Sequence, residues 1–165
     1  MSLPDPEHLL LQLAEAIRPM ITPQTALVGI HSGGAWIAER LQTLLGEDIP
    51  LGTLDISFYR DDFNRIGLHP QAKPSHIPFE VEGSHILLID DVLYTGRTIR
   101  GAMNELFDYG RPASITLAVL VDRGGREMPV EAQIVGARLA LQPQQSLELA
   151  QDDAGTFTFI LHEGA

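Results

Sequence analysis

Apolar positions mark the elements before any other feature does. Leu9, Leu10, Leu13 and Ile17 recur at helical spacing behind Asp5, a candidate cap, and Pro6 at a first helical position, which predicts a helix ending near Pro19. The short continuous run Ala26 to Ile30 reads as a buried strand, followed by the turn HSGG and by Trp36, Ile37, Leu41, Leu44 and Leu45, a second helix closing at Gly46. Leu51 to Tyr59 predicts a further strand. Arg60 to Ile77 then mixes charges with Gly67, Pro70 and Pro74 and has no apolar period, so a flexible loop over 60–77 is expected, of the kind that often covers an active site. Ile86 to Ile89 predicts a buried strand ending at Asp90-Asp91, Thr98 to Tyr109 a helix stopped by Gly110 and Pro112, and Ile115 to Val121 the next strand. Ile134 to Val135, Ser146 to Ala150 and Thr156 to Leu161 read as short strands, the last two as a hairpin around Asp152 to Gly155. Strands alternating with helices imply an α/β fold, a mostly parallel sheet flanked by helices on both faces.

Composition narrows this little but excludes much. At 165 residues and 44% hydrophobic content, without an internal repeat or low-complexity tract, the expectation is a single domain over 1–165. The N-terminus MSLPDPEHLLLQLAEAIRP spaces charges among its apolar residues, unlike a signal peptide, and no apolar run approaches a membrane span. Zero cysteines exclude disulfides, thiolate metal sites and cysteine nucleophiles and fit a reducing compartment, so a cytoplasmic protein is expected. A net charge of −11 repels polyanions at long range, which disfavours RNA as a partner unless a local basic patch holds it.

The chemistry concentrates in ILLIDDVLYTGRT, Ile86 to Thr98: an apolar strand, two acids, a tight turn and a helix start. Unpaired backbone amides and the positive end of a helix dipole favour phosphate at Thr95, Gly96, Arg97 and Thr98, and the threonine hydroxyls add donors. Carboxylates cannot donate to phosphate. Asp90 and Asp91 can accept from vicinal hydroxyls or hold a hydrated metal, so together the segment suits a phosphorylated ribose. Neither GxxxxGK[ST] nor GxGxxG is present.

A hydrophobic strand, two acids and T-G-[RK]-[ST] resemble the phosphoribosyl diphosphate signature of type I phosphoribosyltransferases. LGTLDISFYRDD, HIPFEVEGSHILLIDDVLYTGRTIR and YGRPASITLAVLVDRGGREMP extend the resemblance, over roughly residues 26 to 136, to the bifunctional pyrimidine operon regulator and uracil phosphoribosyltransferase family. That resemblance implies the type I fold with a small hood, about 121–165, and transfer of phosphoribosyl from phosphoribosyl diphosphate to uracil, giving UMP. It casts Asp90 and Asp91 as catalytic contacts to the ribose hydroxyls, and the run through Val92, Leu93, Tyr94, Thr95, Gly96, Arg97 and Thr98 as the ribose-phosphate loop. Val121, Asp122 and Arg123 match a hood loop, Val121 to Arg126, that grips the base largely through backbone groups. Purine enzymes of similar pattern carry an acid at the position of Tyr94, to serve a purine N7 that pyrimidines lack, so Tyr94 points to uracil rather than to a purine acceptor.

The glycine turn Gly29 to Gly34 suits close approach of an anion, and the resemblance makes Ile30, His31, Ser32 and Gly33 the diphosphate loop. Family members carry an Arg or Lys there in a T-R-G-like pattern; here His31 either compensates when protonated or is a loop histidine with no ligand role. Arg60, at the loop hinge, is a candidate bidentate clamp on diphosphate and the third residue expected in catalysis. Mg2+ is expected through substrate and water near Asp90 and Asp91, and His8, His69, His76, His85 and His162 show no metal spacing. The rival reading is an RNA-binding attenuator of pyrimidine genes. Relatives have a histidine after the VDRG glycine and basic residues beyond it, where this chain has Gly125, Glu131, Ala137 and Leu141, leaving only Arg126 and Arg138 positive. The family also implies a homodimer or larger homo-oligomer.

Overall fold

The computed structural model describes residues 2–56 and 75–164. Helix α1 (Pro6–Ile17) begins where the Asp5 carboxylate accepts the Glu7 amide at 3.0 Å, and a 3-10 turn over Arg18–Met20 follows it. Next come β1 (Thr25–Ile30), α2 (Gly33–Leu45), β2 (Leu51–Leu54), β3 (His85–Leu93), α3 (Arg97–Tyr109), β4 (Ser114–Asp122), β5 (Ile134–Arg138) and the hairpin strands β6 (Ser146–Gln151) and β7 (Phe157–His162). Five strands form a parallel sheet in the order β2-β1-β3-β4-β5, and β6 pairs antiparallel with β7.

Strand alternation divides the core into two layers. Leu27, Leu87, Ile89, Ala118 and Leu120 project to one side, where α1, α2 and the hairpin residues Leu147, Leu149 and Phe157 cover them. Ala26, Val28, Ile30, Ile86, Leu88, Leu117 and Val119 meet Ile99, Ala102 and Leu106 of α3 on the other. Helices therefore cover both faces of a mostly parallel sheet.

Two strand boundaries differ from the sequence reading. The strand expected over Leu51 to Tyr59 ends at Leu54, and residues 57–59 lie outside the described ones. The strand expected to stop at the two acids continues to Leu93, because Val92 and Leu93 stay in register with Val121 and Asp122 of β4. Edge strand β2 is covered rather than open: Thr53 and His76 exchange two backbone hydrogen bonds of 2.8 Å, and a Cβ at Gly52 would lie 2.9 Å from Ile77. Ser75 donates its hydroxyl to Glu105 of α3 and accepts the Asp55 amide, so one hydroxyl links the residue after β2 to α3. Burial pushes the Glu105 carboxyl above its ordinary range, against the lowering effect of that Ser75 hydroxyl.

The hairpin is fastened by Glu7. Its carboxylate takes two bonds from Arg40 of α2, at 2.6 and 3.1 Å, and the Phe157 amide at 2.8 Å, while Arg40 also donates to the Gly155 carbonyl and lies 5.0 Å from the Phe157 ring centre. The Arg40 hydrogen bond leads in holding the Glu7 carboxyl below its ordinary value of 4.5; burial opposes it and the Phe157 amide adds to it. A carboxyl with a depressed folded pKa stabilises above its unfolded value and loses that contribution as pH falls through the folded one. Because Glu7 and Arg40 remain about a third exposed, Glu7→Gln is expected to cost about 1–2 kcal/mol near pH 7. Thermal melts of both proteins should converge once the pH is well below 4.5; a gap that persists there would show that the charge is not what matters.

Candidate active site

Strand order places the site. Chain direction diverges between β1 and β3, since β1 leads through α2 outward to β2, whereas β3 leads through α3 to β4 on the other side. In open parallel sheets ligands bind at that switch point, beyond the carboxyl ends of the strands. There the two segments singled out in the sequence meet: residues 31–34 after β1 and residues 90–98 at the end of β3.

The two acids are held by the backbone that follows them. Asp90 accepts the Asp91 amide at 2.9 Å and Asp91 accepts the Val92 amide at 2.8 Å, with Asp90 buried and Asp91 partly exposed. Gly33 lies directly against Asp91, where a Cβ would overlap the carboxylate, its Cγ only 2.9 Å away. Gly34 is equally constrained by β3, a Cβ there lying 3.0 Å from the Asp90 Cα and closer still to the Ile89 carbonyl oxygen. These glycines let the start of α2 close onto the end of β3. Ser32, the residue before α2, makes no side-chain cap to the helix, and the His31–Ser32 peptide is cis.

On the other flank, Gly96 precedes α3 in the left-handed region (φ +93°), and the Thr95 hydroxyl accepts the Arg97 amide at 3.2 Å. The start of α2 thus packs against Asp91, and the start of α3 follows within the same segment, each a favourable end for an anion. Arg60 lies outside the described residues, so its expected place beside diphosphate is not part of this geometry.

Residues 123–130 are bound tightly to the turn over 94–97. Glu127 and Met128 both donate amides to the Thr95 carbonyl, at 2.8 and 3.0 Å, and Arg97 pairs with Glu127 at 2.7 Å. Arg126 donates to the carbonyls of Tyr94 and Val130 and to the Asp122 carboxylate. Burial alone would raise the Asp122 carboxyl, but the Arg126 hydrogen bond, the Gly124 amide and the charges of Arg126 and Arg138 outweigh it and hold it low. Arg123, expected at the base, sends its guanidinium to the Gln142 and Gln145 carbonyls and stacks it 3.8 Å from the Tyr94 ring centre. Its amide donates to the Leu93 carbonyl, and the Gly124 amide to Asp122. Tyr94 keeps one exposed side, packed between Arg123 and Gly125. A Cβ at Gly125 (φ +79°) would lie 2.5 Å from that ring, so Tyr94 fills the space a residue-125 side chain would need.

Sequence reasoning missed the Arg126 fork, the Arg123 stack and the amide-anchored 127–128 stretch. The only available signal was the charge alternation in DRGGRE. Among the described residues, no three His, Cys, Asp or Glu side chains gather as a metal cage, and no helix is long and apolar enough to cross a membrane.

Comparison with known proteins follows the same lines. The phosphoribosyl transferase domain family matches residues 8–141. The chain is 53% identical to the bifunctional protein PyrR of Pseudomonas paraeruginosa over 90% of each chain, and 56% identical to that of Nitrosococcus oceani over 81% of this chain and 76% of the other. Among solved structures, a purine phosphoribosyltransferase from Pyrococcus horikoshii has a TM-score of 0.62 at 25% identity, covering 90% of this chain and 93% of its own. A hypoxanthine phosphoribosyltransferase from Staphylococcus aureus has a TM-score of 0.66 at 19% identity, covering 88% and 79%, a likeness of fold alone.

Proposed function

Because the chain belongs to the phosphoribosyl transferase domain family and, within it, to the bifunctional PyrR proteins, we propose that this phosphoribosyltransferase makes UMP from uracil and phosphoribosyl diphosphate. The observation that carries the reading is the pair of carboxylates, Asp90 and Asp91, near the end of β3 at the switch point, with Gly33 at the start of α2 packed against Asp91. In this reading the acids accept from the ribose hydroxyls, the turn from Thr95 to Thr98 holds the 5-phosphate, and the turn from Ile30 to Gly33 receives the diphosphate, helped by Arg60. Diphosphate leaves C1 with oxocarbenium character and uracil N1 attacks, so the chain's tasks are positioning and charge stabilisation.

Hard oxygen donors at Asp90 and Asp91 suit Mg2+, which would rest mainly on substrate oxygens and water and would neutralise the departing diphosphate. Val121, Asp122, Arg123 and Tyr94 would receive the base; the tyrosine offers an aromatic face and no carboxylate for a purine N7. The reading takes residues 1–165 as one catalytic domain, with the stretch of about 121–165 as its hood, working in the cytoplasm as a homodimer or larger assembly; most of the loop expected over 60–77 lies outside the described residues.

RNA control is the weaker second reading. The two cations remaining in the relevant stretch, Arg126 and Arg138, both bind the Asp122 carboxylate, at 2.6 and 2.9 Å, so much of their charge is already answered.

The test is an assay of purified protein with phosphoribosyl diphosphate, Mg2+ and, in parallel, uracil, guanine, hypoxanthine and xanthine. UMP formation that exceeds every purine product is the expected result; no UMP at high enzyme concentration would sink the uracil reading. A gel-shift titration against a pyrimidine-operon leader RNA should stay flat, with and without UMP.

A further inference from the structure

We infer that Arg126 is a positioning residue that fixes the distance between the base-binding end of β4 and the ribose-phosphate turn. The inference deepens the uracil phosphoribosyltransferase reading and rests on it. All three guanidinium nitrogens are committed: Nε donates to the Val130 carbonyl at 2.8 Å, one terminal nitrogen to the Tyr94 carbonyl at 2.9 Å, and the other to Asp122 Oδ2 at 2.6 Å. Each acceptor belongs to a different piece of the site. Tyr94 directly precedes the phosphate turn, Asp122 ends the strand that leads into the hood, and Val130 closes the stretch wrapped around Thr95. A planar fork with three separated nitrogens in fixed directions sets these three pieces at one separation, which an ammonium with all its donors on one nitrogen at the end of a flexible stem cannot do.

The chemistry makes that separation matter. Ribose C1 is placed by groups on β3 and the phosphate turn, whereas the acceptor nitrogen is placed by the end of β4 and the hood. An error of about 1 Å between reacting atoms costs on the order of a hundredfold in rate. Hydrogen bonding across the β3–β4 ladder reaches only to Leu93 and Asp122, and the Arg123 amide adds one bond to the Leu93 carbonyl. Beyond that point the Glu127 and Met128 amides hold the Thr95 carbonyl, and Arg126 joins the Tyr94 carbonyl directly to the Asp122 carboxylate. It touches neither substrate in this reading, so its loss should reduce turnover far more than affinity for phosphoribosyl diphosphate, which binds on one side of the strut.

The experiment compares wild type, Arg126→Gln, Arg126→Lys and Arg138→Gln in kcat for UMP, in calorimetric Kd for phosphoribosyl diphosphate with Mg2+, and in Tm. Both Arg126 variants are expected to lose about thirtyfold to a hundredfold in kcat while Kd changes by less than about threefold. Arg138→Gln removes the other cation on Asp122 Oδ2 but leaves the fork, and should stay within about threefold of wild type in kcat. Arg126→Lys retains the positive charge beside Asp122, so it supplies the measurement if Arg126→Gln fails to fold. A kcat within threefold of wild type in Arg126→Lys overturns the strut, as does a Kd that weakens in parallel with kcat. Wild type that forms no UMP overturns the underlying reading and the strut with it; active wild type beside an equally active Arg126 variant overturns the strut alone.

Discussion

Replacing Asp90 and Asp91 together with alanine is expected to lower kcat/KM for UMP formation by about 10²- to 10⁴-fold while leaving the circular dichroism spectrum unchanged. The size follows from the bonds each carboxylate would make. A hydrogen bond to a charged group contributes about 1.5–3 kcal/mol, so two on the ribose hydroxyls give roughly 3–6 kcal/mol. The fold should tolerate the change, because these acids bond to the adjacent Asp91 and Val92 amides and the β3–β4 ladder is made by the backbone. Steady-state kinetics in uracil and in phosphoribosyl diphosphate give the answer. A loss below tenfold would mean that the ribose is held elsewhere.

Phe157→Ala should destabilise the protein by about 3–5 kcal/mol, the range for emptying a buried aromatic site. Phe157 is 1% exposed and belongs to the same core layer as α1, α2 and β3, and among the described residues it is the largest of the fully buried side chains. The substitution also removes the ring beside Arg40 while leaving the backbone bond to Glu7 intact. For a chain of this size, the corresponding fall in Tm is roughly 6–20 °C. Phe157 lies on β7 and is not among the residues assigned to substrate, so turnover of the remaining folded protein well below the new Tm should match wild type. Thermal and denaturant melts check the first part; a fall under about 1 kcal/mol would show that the hairpin is not integral to the core.

How much of this was legible in the sequence depended on whether the signal was local. DDVLYTGRT announced itself because strand, acids, turn glycine and helix start lie within one short run, and the structure assembles them in that order. The end of β3 was misread because two aspartates look like the close of an apolar strand, whereas backbone pairing with β4 ignores side-chain polarity and carries on to Leu93. Glycines in the turn after β1 suggested room for an anion; Gly33 is also what allows Asp91 and the start of α2 to touch, a fact that only the packing reveals. A base grip through the backbone of Val121 to Arg126 leaves the Arg123 side chain unassigned, and its guanidinium holds the Gln142 and Gln145 carbonyls, partners with no periodic relation to it. Arg126, Glu7 and Arg40 were silent for the same reason. Their contacts join segments that the chain alone does not bring together.

Glu7 has one more consequence, and it concerns time rather than energy. Its carboxylate binds the Phe157 amide, so a group in the first helix waits for a partner 150 positions further along the chain. A ribosome adds roughly 5–20 residues per second, so that delay is on the order of ten seconds or more. During it, α1 and the sheet face above it lie beneath a vacant place that Leu147, Leu149 and Phe157 will occupy. A chain that has not yet reached β6 would therefore leave this apolar flank uncovered.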